Sequence, residues 1–405
     1  MENHKVMCWD CGATVEDPFV STCSRCGGLL TVKMDLEKVK EKKPSDLRKE
    51  PLGVWRYSDF LPVDPAHKIS IQEGGTPLYK TDALAEKAGV KEMFVKFEGL
   101  NPTGSFKDRG MTVGVTRAKE LDAKVVGCAS TGNTSASLAA YAAKAGIKCA
   151  VFLPSGKVAA GKLAQALFYG AKVLSVDGNF DDALALARKM ADERKIYLLN
   201  SINPYRPEGQ KSVLFEIMDQ LEYGVPDRIV LPVGNAANIW AVYKALTELE
   251  EVGWIDRMPM LTGIQAEGSS PVAKAFGNHE EDFVPVENPE TLATAIRIGN
   301  PVSGRKALTA MYKTGGYSAT VTDEEIINAQ KLTARKEGVF VEPASAASVA
   351  GVLKLREQGI IDRDERVVAI CTGNGLKDPD TAVKYSEPPI KCANSVADVE
   401  RILSL

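Results

Sequence analysis

At 405 residues the chain exceeds one simple core, so two or three domains are expected, and a composition of 44% hydrophobic and 25% charged residues is that of an ordinary globular protein. The formal charge of −3 gives no electrostatic case for a nucleic-acid partner, and no apolar run approaches the roughly 18 residues of a membrane span. The start "MENHKVMCWDCG" lacks an apolar signal region, and only His4, His67 and His279 occur, none in a glycine-rich segment. Ser-His-Asp chemistry and a His-ligated catalytic metal are therefore disfavoured, and a cytoplasmic enzyme is expected.

Residues 1–35 form a cysteine-rich module. Cys8 and Cys11, then Cys23 and Cys26 after eleven residues, make two Cys-x2-Cys knuckles. Four thiolates complete a tetrahedron with no open position, so the spacing predicts a structural zinc ribbon. A redox reading favours a single CxxC beside a βαβ unit, and a nucleic-acid ribbon would carry more basic and aromatic residues. Cys128, Cys149, Cys371 and Cys392 are scattered and read as isolated thiols. Next, "DLEKVKEKKPSDLRKEP" reads as a short helix and linker, and "PLGVWRYSDFLPV" as a packing arm.

From about residue 92, β-branched runs alternate with helical ones. Expected strands are "MFVKFE", "KVVGCAS", "KCAVFLP", "AKVLSVD", "YLLNS", "RIVLPVG", "LTGIQAE" and "RVVAICTG". Between them "TSASLAAYAAKAG", "FDDALALARKMADERK", "NIWAVYKALTELEE" and "DEEIINAQKLTARKEG" repeat apolar residues at helical spacing. Alternation of this kind implies parallel sheets covered by helices, with ligands at the carboxyl ends of strands. "ANSVADVERILSL" reads as a terminal amphipathic helix.

Three small-residue loops sit at expected strand ends. "STGNTS" (130–135) opens a helix, whose free N–H groups and dipole suit an anion, although the same residue types favour ordinary capping. "VGNAAN" (233–238) can fold its successive N–H groups into a phosphate nest. "CTGNGLKDP" (371–379) places Thr372 at a strand end. No GxGxxG fingerprint and no Walker motif occur, so the expected ligand is a phosphorylated cofactor other than a nucleotide. Lys107 lies in "NPTGSFKDRG", and with Ser105 as cap it falls in the first turn of a helix. There the dipole disfavours the ammonium form, and Asp108 can hold the turn. A lysine made partly neutral attacks aldehydes, and the natural aldehyde bearing a phosphate is pyridoxal phosphate. "GNAAN" would then hold its phosphate. Ser130, Thr131, Gly132 and Thr134 would hold a substrate carboxylate.

Together with "VEPASAASVAG", these motifs run in order from "GGTPL" at Gly74 to "GLKDP" near residue 379, and they resemble the threonine synthases, a branch of the fold-type-II pyridoxal-phosphate enzymes. Some members of that branch carry an N-terminal zinc ribbon. The resemblance implies an α/β fold with two doubly wound parallel-sheet domains of the tryptophan synthase β-like type. The implied divisions are a ribbon (1–35), a linker or arm (36–70), a catalytic region (71–390) and a C-terminal helix (391–405). Within the catalytic region the smaller part is about 100–197, and the larger is built from 71–99 and 198–390. Lys107 would be the Schiff-base lysine and acid–base group, and Phe106 would pack near the ring. Asn133 would bond the phenolic oxygen, Gly234, Asn235, Ala236, Ala237 and Asn238 would cradle the phosphate, and Thr372 would bond the pyridine nitrogen. A hydroxyl at that nitrogen suits elimination and replacement at Cβ and Cγ better than transamination.

The implied reaction converts O-phospho-L-homoserine and water to L-threonine and phosphate, with the leaving phosphate as the expected base for water addition. In "LLNSINPYRPEGQKS", Asn200, Ser201 and Arg206 offer donors suited to that second phosphate. Cysteate synthase, which takes O-phosphoserine and sulfite, would need a similar pocket. Serine/threonine dehydratases usually show an all-glycine phosphate loop in place of "GNAAN". A ribbon-bearing binding protein with a dead enzyme fold is opposed by the intact Lys107 and the three loops. Enzymes of this family commonly form dimers, so a homodimer is expected.

Overall fold

The computed structural model describes residues 3–155 and 160–404. Valine- and isoleucine-rich runs become strands, and those at the centre of a sheet are buried on both faces, as parallel pairing between helix layers requires. In the cysteine module β1 (His4–Cys8) and β2 (Leu30–Met34) pair antiparallel, with His4 opposite Met34. β3 (Leu78–Lys80) and β4 (Glu92–Phe97) follow. The chain then enters a separate four-stranded parallel sheet made of β5 (Val125–Ala129), β6 (Lys148–Pro154), β7 (Lys172–Val176) and β8 (Tyr197–Leu198), ordered β7-β6-β5-β8. It returns through β9 (Arg228–Pro232), β10 (Met260–Ala266), β11 (Tyr317–Val321) and β12 (Arg366–Cys371). These join β3 and β4 in a six-stranded sheet ordered β11-β10-β9-β12-β4-β3, in which β3 alone runs antiparallel.

Two of these strands lack the expected pattern for a physical reason. β3 is a three-residue edge strand with an exposed end, too short for a periodicity. β11 closes the opposite edge, and its "YSATV" offers no continuous apolar run. β8 stops after two residues, which leaves Asn200 and Ser201 beyond its end. The segment 36–70 is less a linker than a packed strap. Leu36, Val39, Leu47, Tyr57 and Phe60 are buried in the core under the six-stranded sheet, where Phe60 lies 4.7 Å from Phe215 between ring centroids.

The site is positioned by α1 (Lys107–Glu120), α2 (Asn133–Ala145), α3 (Tyr205–Gln210), α4 (Ala237–Glu251), α5 (Gly304–Lys313) and α6 (Pro343–Glu357). α1 is anchored from below by buried charges. Arg109 donates to Glu98 at 2.5 and 2.7 Å and to Glu216 at 2.7 and 2.8 Å, and Lys96 reaches Glu216 at 2.7 Å. All four side chains are fully buried. Glu216 also accepts the N–H of Gly75 at 2.8 Å. Removing one partner from such a cluster leaves the others uncompensated, which costs about 3–5 kcal/mol. Glu216→Gln is therefore expected to lower the unfolding free energy by about that much, read from denaturant melts. A loss under about 1 kcal/mol would show that the cluster does not hold α1.

Candidate active site

The loop carrying Lys107 is pinned by its backbone to the end of β12. The Phe106 N–H donates to the Thr372 carbonyl at 3.0 Å, Asn374 N–H to Gly104 O at 2.9 Å, and Ser105 pairs with Gly373 in an antiparallel bridge. Asp108 locks the turn from inside. It accepts from the Thr103 N–H at 2.7 Å, the Thr103 hydroxyl at 2.6 Å and the Ser137 hydroxyl of α2 at 2.5 Å. Burial nevertheless pushes its carboxyl up to about 6, against the pull of those donors.

Lys107 opens α1, is half-buried, and stands with its amine 4.3 Å from the centre of the Phe106 ring. Desolvation first, and the nearby Arg206 cation second, push its pKa down to about 7, while the Glu342 carboxylate opposes them. Two expectations change here. Ser105 does not cap the helix: Phe106 takes the N-cap position with helical backbone and no side-chain cap, and the buried Ser105 hydroxyl has no partner among the described residues. Burial, with the nearby Arg206 cation, is what chiefly weakens the ammonium form.

A group that sequence reading missed lies opposite. Glu342 sits just before α6 with a fully desolvated carboxylate. Asn133 donates to its two oxygens at 3.3 and 3.1 Å, the Thr372 hydroxyl lies 3.5 Å from Oε1, and the Glu342 N–H donates to Gly373 O at 3.0 Å. A Cβ on Gly373 would stand 2.5 Å from that carboxylate, so only glycine lets the two approach. Burial raises the Glu342 pKa, and Lys377 and Lys107 only partly offset it. The signal was present in "VEPASAASVAG", as a glutamate placed immediately before the proline that starts a helix. Ser345, three residues further on, shares a 3.0 Å hydrogen bond with Thr372 and fixes that hydroxyl.

β9 and β12 are parallel neighbours with Val230 level with Ala369, so their loops, 233–236 and 372–374, leave the sheet side by side. In the first loop Ala236 adopts a left-handed backbone with φ of 66°, which turns successive N–H groups inward ahead of α4. Asn238, in the first turn of α4, is buried, and neither its amide nitrogen nor its oxygen has a partner among the described residues. Gly234 and Ala237 flank this turn, and the Asn235 carbonyl accepts the Ser303 N–H at 3.1 Å. A helix start with an inward nest and an orphaned amide fits an anionic group such as a cofactor phosphate. In the loop after β5, Gly132 begins α2 without a side-chain cap, and Ser130, Thr131, Gly132 and Thr134 are all half-exposed.

The segment after β8 divides in two. Asn200 is a latch: its amide accepts from the Ala129 N–H at 2.9 Å and donates to the Ala129 carbonyl at 3.1 Å, so its expected place as a phosphate donor is corrected. Ser201 follows in the turn. Arg206 points its chain along α1 with Nε and Nη2 buried and unpartnered among the described residues, and burial lowers its pKa to about 10. In the amino-terminal module the sulfurs of Cys8 and Cys26 lie 3.5 Å apart, those of Cys11 and Cys23 3.7 Å apart, and all four within 4.8 Å of one another. Tetrahedral zinc with Zn–S bonds of about 2.3 Å separates its sulfurs by roughly 3.8 Å, so the donor set fits that ion.

Residues 69–373 match the family described as pyridoxal-phosphate dependent enzyme. The threonine synthase of Methanocaldococcus jannaschii is 61% identical over 399 residues, 98% of either chain. That of Methanosarcina acetivorans is 59% identical over 394 residues, 95% of either chain. That of Mycobacterium tuberculosis H37Rv is 54% identical over 356 residues, 87% of this chain and 96% of its own. Among solved structures, the processed form of threonine deaminase isoform 2 from Solanum lycopersicum aligns with a TM-score of 0.68 at 19% identity, over 83% of this chain and 95% of its own. Maize serine racemase aligns with a TM-score of 0.65 at 21% identity, over 76% of this chain and 90% of its own. These two likenesses bear on the fold alone, and the fold is the expected fold-type-II arrangement. The chain belongs to the pyridoxal-phosphate dependent enzymes, in their threonine synthase branch.

Proposed function

We propose that the chain is a threonine synthase that converts O-phospho-L-homoserine and water to L-threonine and phosphate by γ-elimination and β-addition. The observation that carries the substrate class is Arg206. A buried guanidinium with two unpartnered nitrogens, near enough to Lys107 to depress its pKa, calls for an anion delivered beside the nucleophile. O-phosphoserine would also satisfy Arg206, so the assay that separates the readings is direct. Purified protein with O-phosphohomoserine is expected to release phosphate and form threonine. Threonine absent, with cysteate formed from O-phosphoserine and sulfite, would replace this reading.

Pyridoxal phosphate, when bound, supplies the electron sink that lets protons leave Cα and Cβ. Lys107 would carry it, and its Nζ, its pKa pushed down to about 7 by burial and Arg206, would take up the Cα proton once freed. Asn133 would bond the phenolic oxygen, Thr372 the pyridine nitrogen, and Phe106 would pack near the ring. Gly234, Asn235, Ala236, Ala237 and Asn238 hold the cofactor phosphate. Ser130, Thr131, Gly132 and Thr134 receive the substrate carboxylate, and Arg206 with Ser201 receives its phosphate. Glu342 hydrogen-bonds both Asn133 and Thr372 and so sets their spacing. On this reading the catalytic region is 71–390, with its smaller part about 100–197 carrying the four-stranded sheet. Zinc in the ribbon is structural, because four thiolates leave no open position. The four clustered thiols suit a reducing cytoplasm. The homodimer rests on the resemblance, with Phe168, 96% exposed, as an apolar residue available to a second copy.

Lys107→Ala is expected to abolish the visible absorption of bound cofactor and to lower turnover by more than about 10³-fold. Wild-type turnover in that variant would remove Lys107 from the reaction. In the wild type, the rate at which added pyridoxal phosphate captures Lys107 should rise with pH through about 7, because the neutral amine attacks and its fraction falls below that value. Arg206→Met should raise KM for the phosphorylated substrate by about 10–100-fold. It should also move the capture midpoint upward, since one cause of the lowered pKa is gone. A midpoint that stays put would disprove the Arg206–Lys107 coupling.

A further inference from the structure

The four-cysteine ribbon touches β8 of the four-stranded sheet, the helices α4 and α5 that pack on the six-stranded one, and the helix that carries Arg206. On the four-stranded side, Phe19 meets Tyr197 edge-on at 5.9 Å between centroids, and Asp17 accepts from Arg194 at 2.5 Å. On the other side, Trp9 meets Trp240 of α4 edge-on at 6.0 Å, and Asp10 pairs with Arg305 of α5 at 2.7 Å. The backbone of β2 is gripped by two buried lysines: the Leu30 carbonyl accepts from Lys306 at 3.2 Å and the Val32 carbonyl from Lys244 at 2.5 Å. Lys244 also binds the Glu208 carboxylate of α3, which Lys211 holds at 2.8 Å. From β1, His4 shares a buried 3.2 Å hydrogen bond with the Tyr205 hydroxyl.

Tyr205 and Glu208 are three residues apart on α3 and so share one face, which is turned to the ribbon. The same short helix is also pressed on α1 without slack. A Cβ on Gly209 would stand 1.8 Å from the Arg109 carbonyl, and one on Gly110 would stand 2.9 Å from the Arg206 carbonyl. Arg206 is thus mounted on a six-residue helix packed against both the Lys107 helix and the ribbon. So short a helix does not hold its own position, and its placement comes from what it packs against.

We propose that the ribbon is a backing plate for α3, with His4 as a positioning residue, and that its metal-closed form sets the place of Arg206 for the substrate phosphate. This rests on the reading of Arg206 as phosphate ligand. The test uses the zinc-loaded holoenzyme, the same protein stripped by a chelator, and a zinc-loaded His4→Ala variant. In both altered forms KM for O-phosphohomoserine should rise about tenfold, the scale of one weakened charge-assisted contact. kcat should stay within twofold and cofactor absorption should be unchanged. Amide exchange in 205–210 should quicken, and inhibition by inorganic phosphate should weaken in parallel. A lower melting temperature with KM and phosphate inhibition unmoved in both forms would overturn the proposal, leaving the ribbon a stabilising module only. Arg206→Met separates the two readings: if it leaves KM unchanged, the assignment of Arg206 fails, whatever the ribbon does.

Discussion

The backbone pairing of 104–106 with 372–374 is the constraint from which the site follows. A loop at the start of α1 is added, strand-fashion, to the carboxyl end of β12. That contact sets Lys107 beside Thr372, and through the Gly373 carbonyl it also fixes the Glu342 backbone. Asp108, on the other side of the turn, binds the Ser137 hydroxyl and draws in α2, which opens with Asn133. One short stretch therefore joins elements of both sheets. Arg109, the next residue, roots the assembly in a buried ionic cluster that no solvent screens.

The buried charges sort into two kinds. Glu98, Glu216 and Glu208 are each clasped by cations at hydrogen-bonding distance, and Lys96, Arg109 and Lys211 by carboxylates. Such pairs contribute little net stability over an apolar core, but they fix geometry because every alternative leaves an ion bare. Glu342 and Arg206 are different. Glu342 is held by an amide and a hydroxyl, and Arg206 keeps unpartnered nitrogens. Desolvation shifts both away from their charged forms. Groups left this way inside a satisfied scaffold are where ligand chemistry is to be sought.

Much of this was legible in the sequence. The strands "KCAVFLP" and "RIVLP" announced themselves because a strand buried on both faces is continuously apolar, and the loops after β5, β9 and β12 carry the small residues that close backbone approach demands. The cysteine spacing gave the ribbon because four thiolates need two knuckles and nothing else. What escaped depends on contacts across the fold. Asn200 looks like a donor by type, yet its amide is engaged by Ala129, 71 residues away. Glu342 looks like a helix-start residue until α2 is folded against it. The cause of the Lys107 shift could not be read either, because desolvation belongs to the packed interior and a linear stretch displays only a helix start.

The pairing of Lys107 with Arg206 also bears on timing. Burial and the neighbouring Arg206 cation make Lys107 a lysine that is easily deprotonated, and burial leaves Arg206 a guanidinium that wants an anion. If the substrate phosphoryl group binds at Arg206 as proposed, the repulsion felt by Lys107 would be cancelled and its amine would become more basic while substrate is in place. Once phosphate has left Cγ and departed, the repulsion returns and the ammonium is acidified again. A base that strengthens when the phosphorylated substrate arrives and weakens when phosphate goes suits a reaction in which the same amine must first gain a proton and later give one up. No histidine is required for this, which agrees with a site built without one.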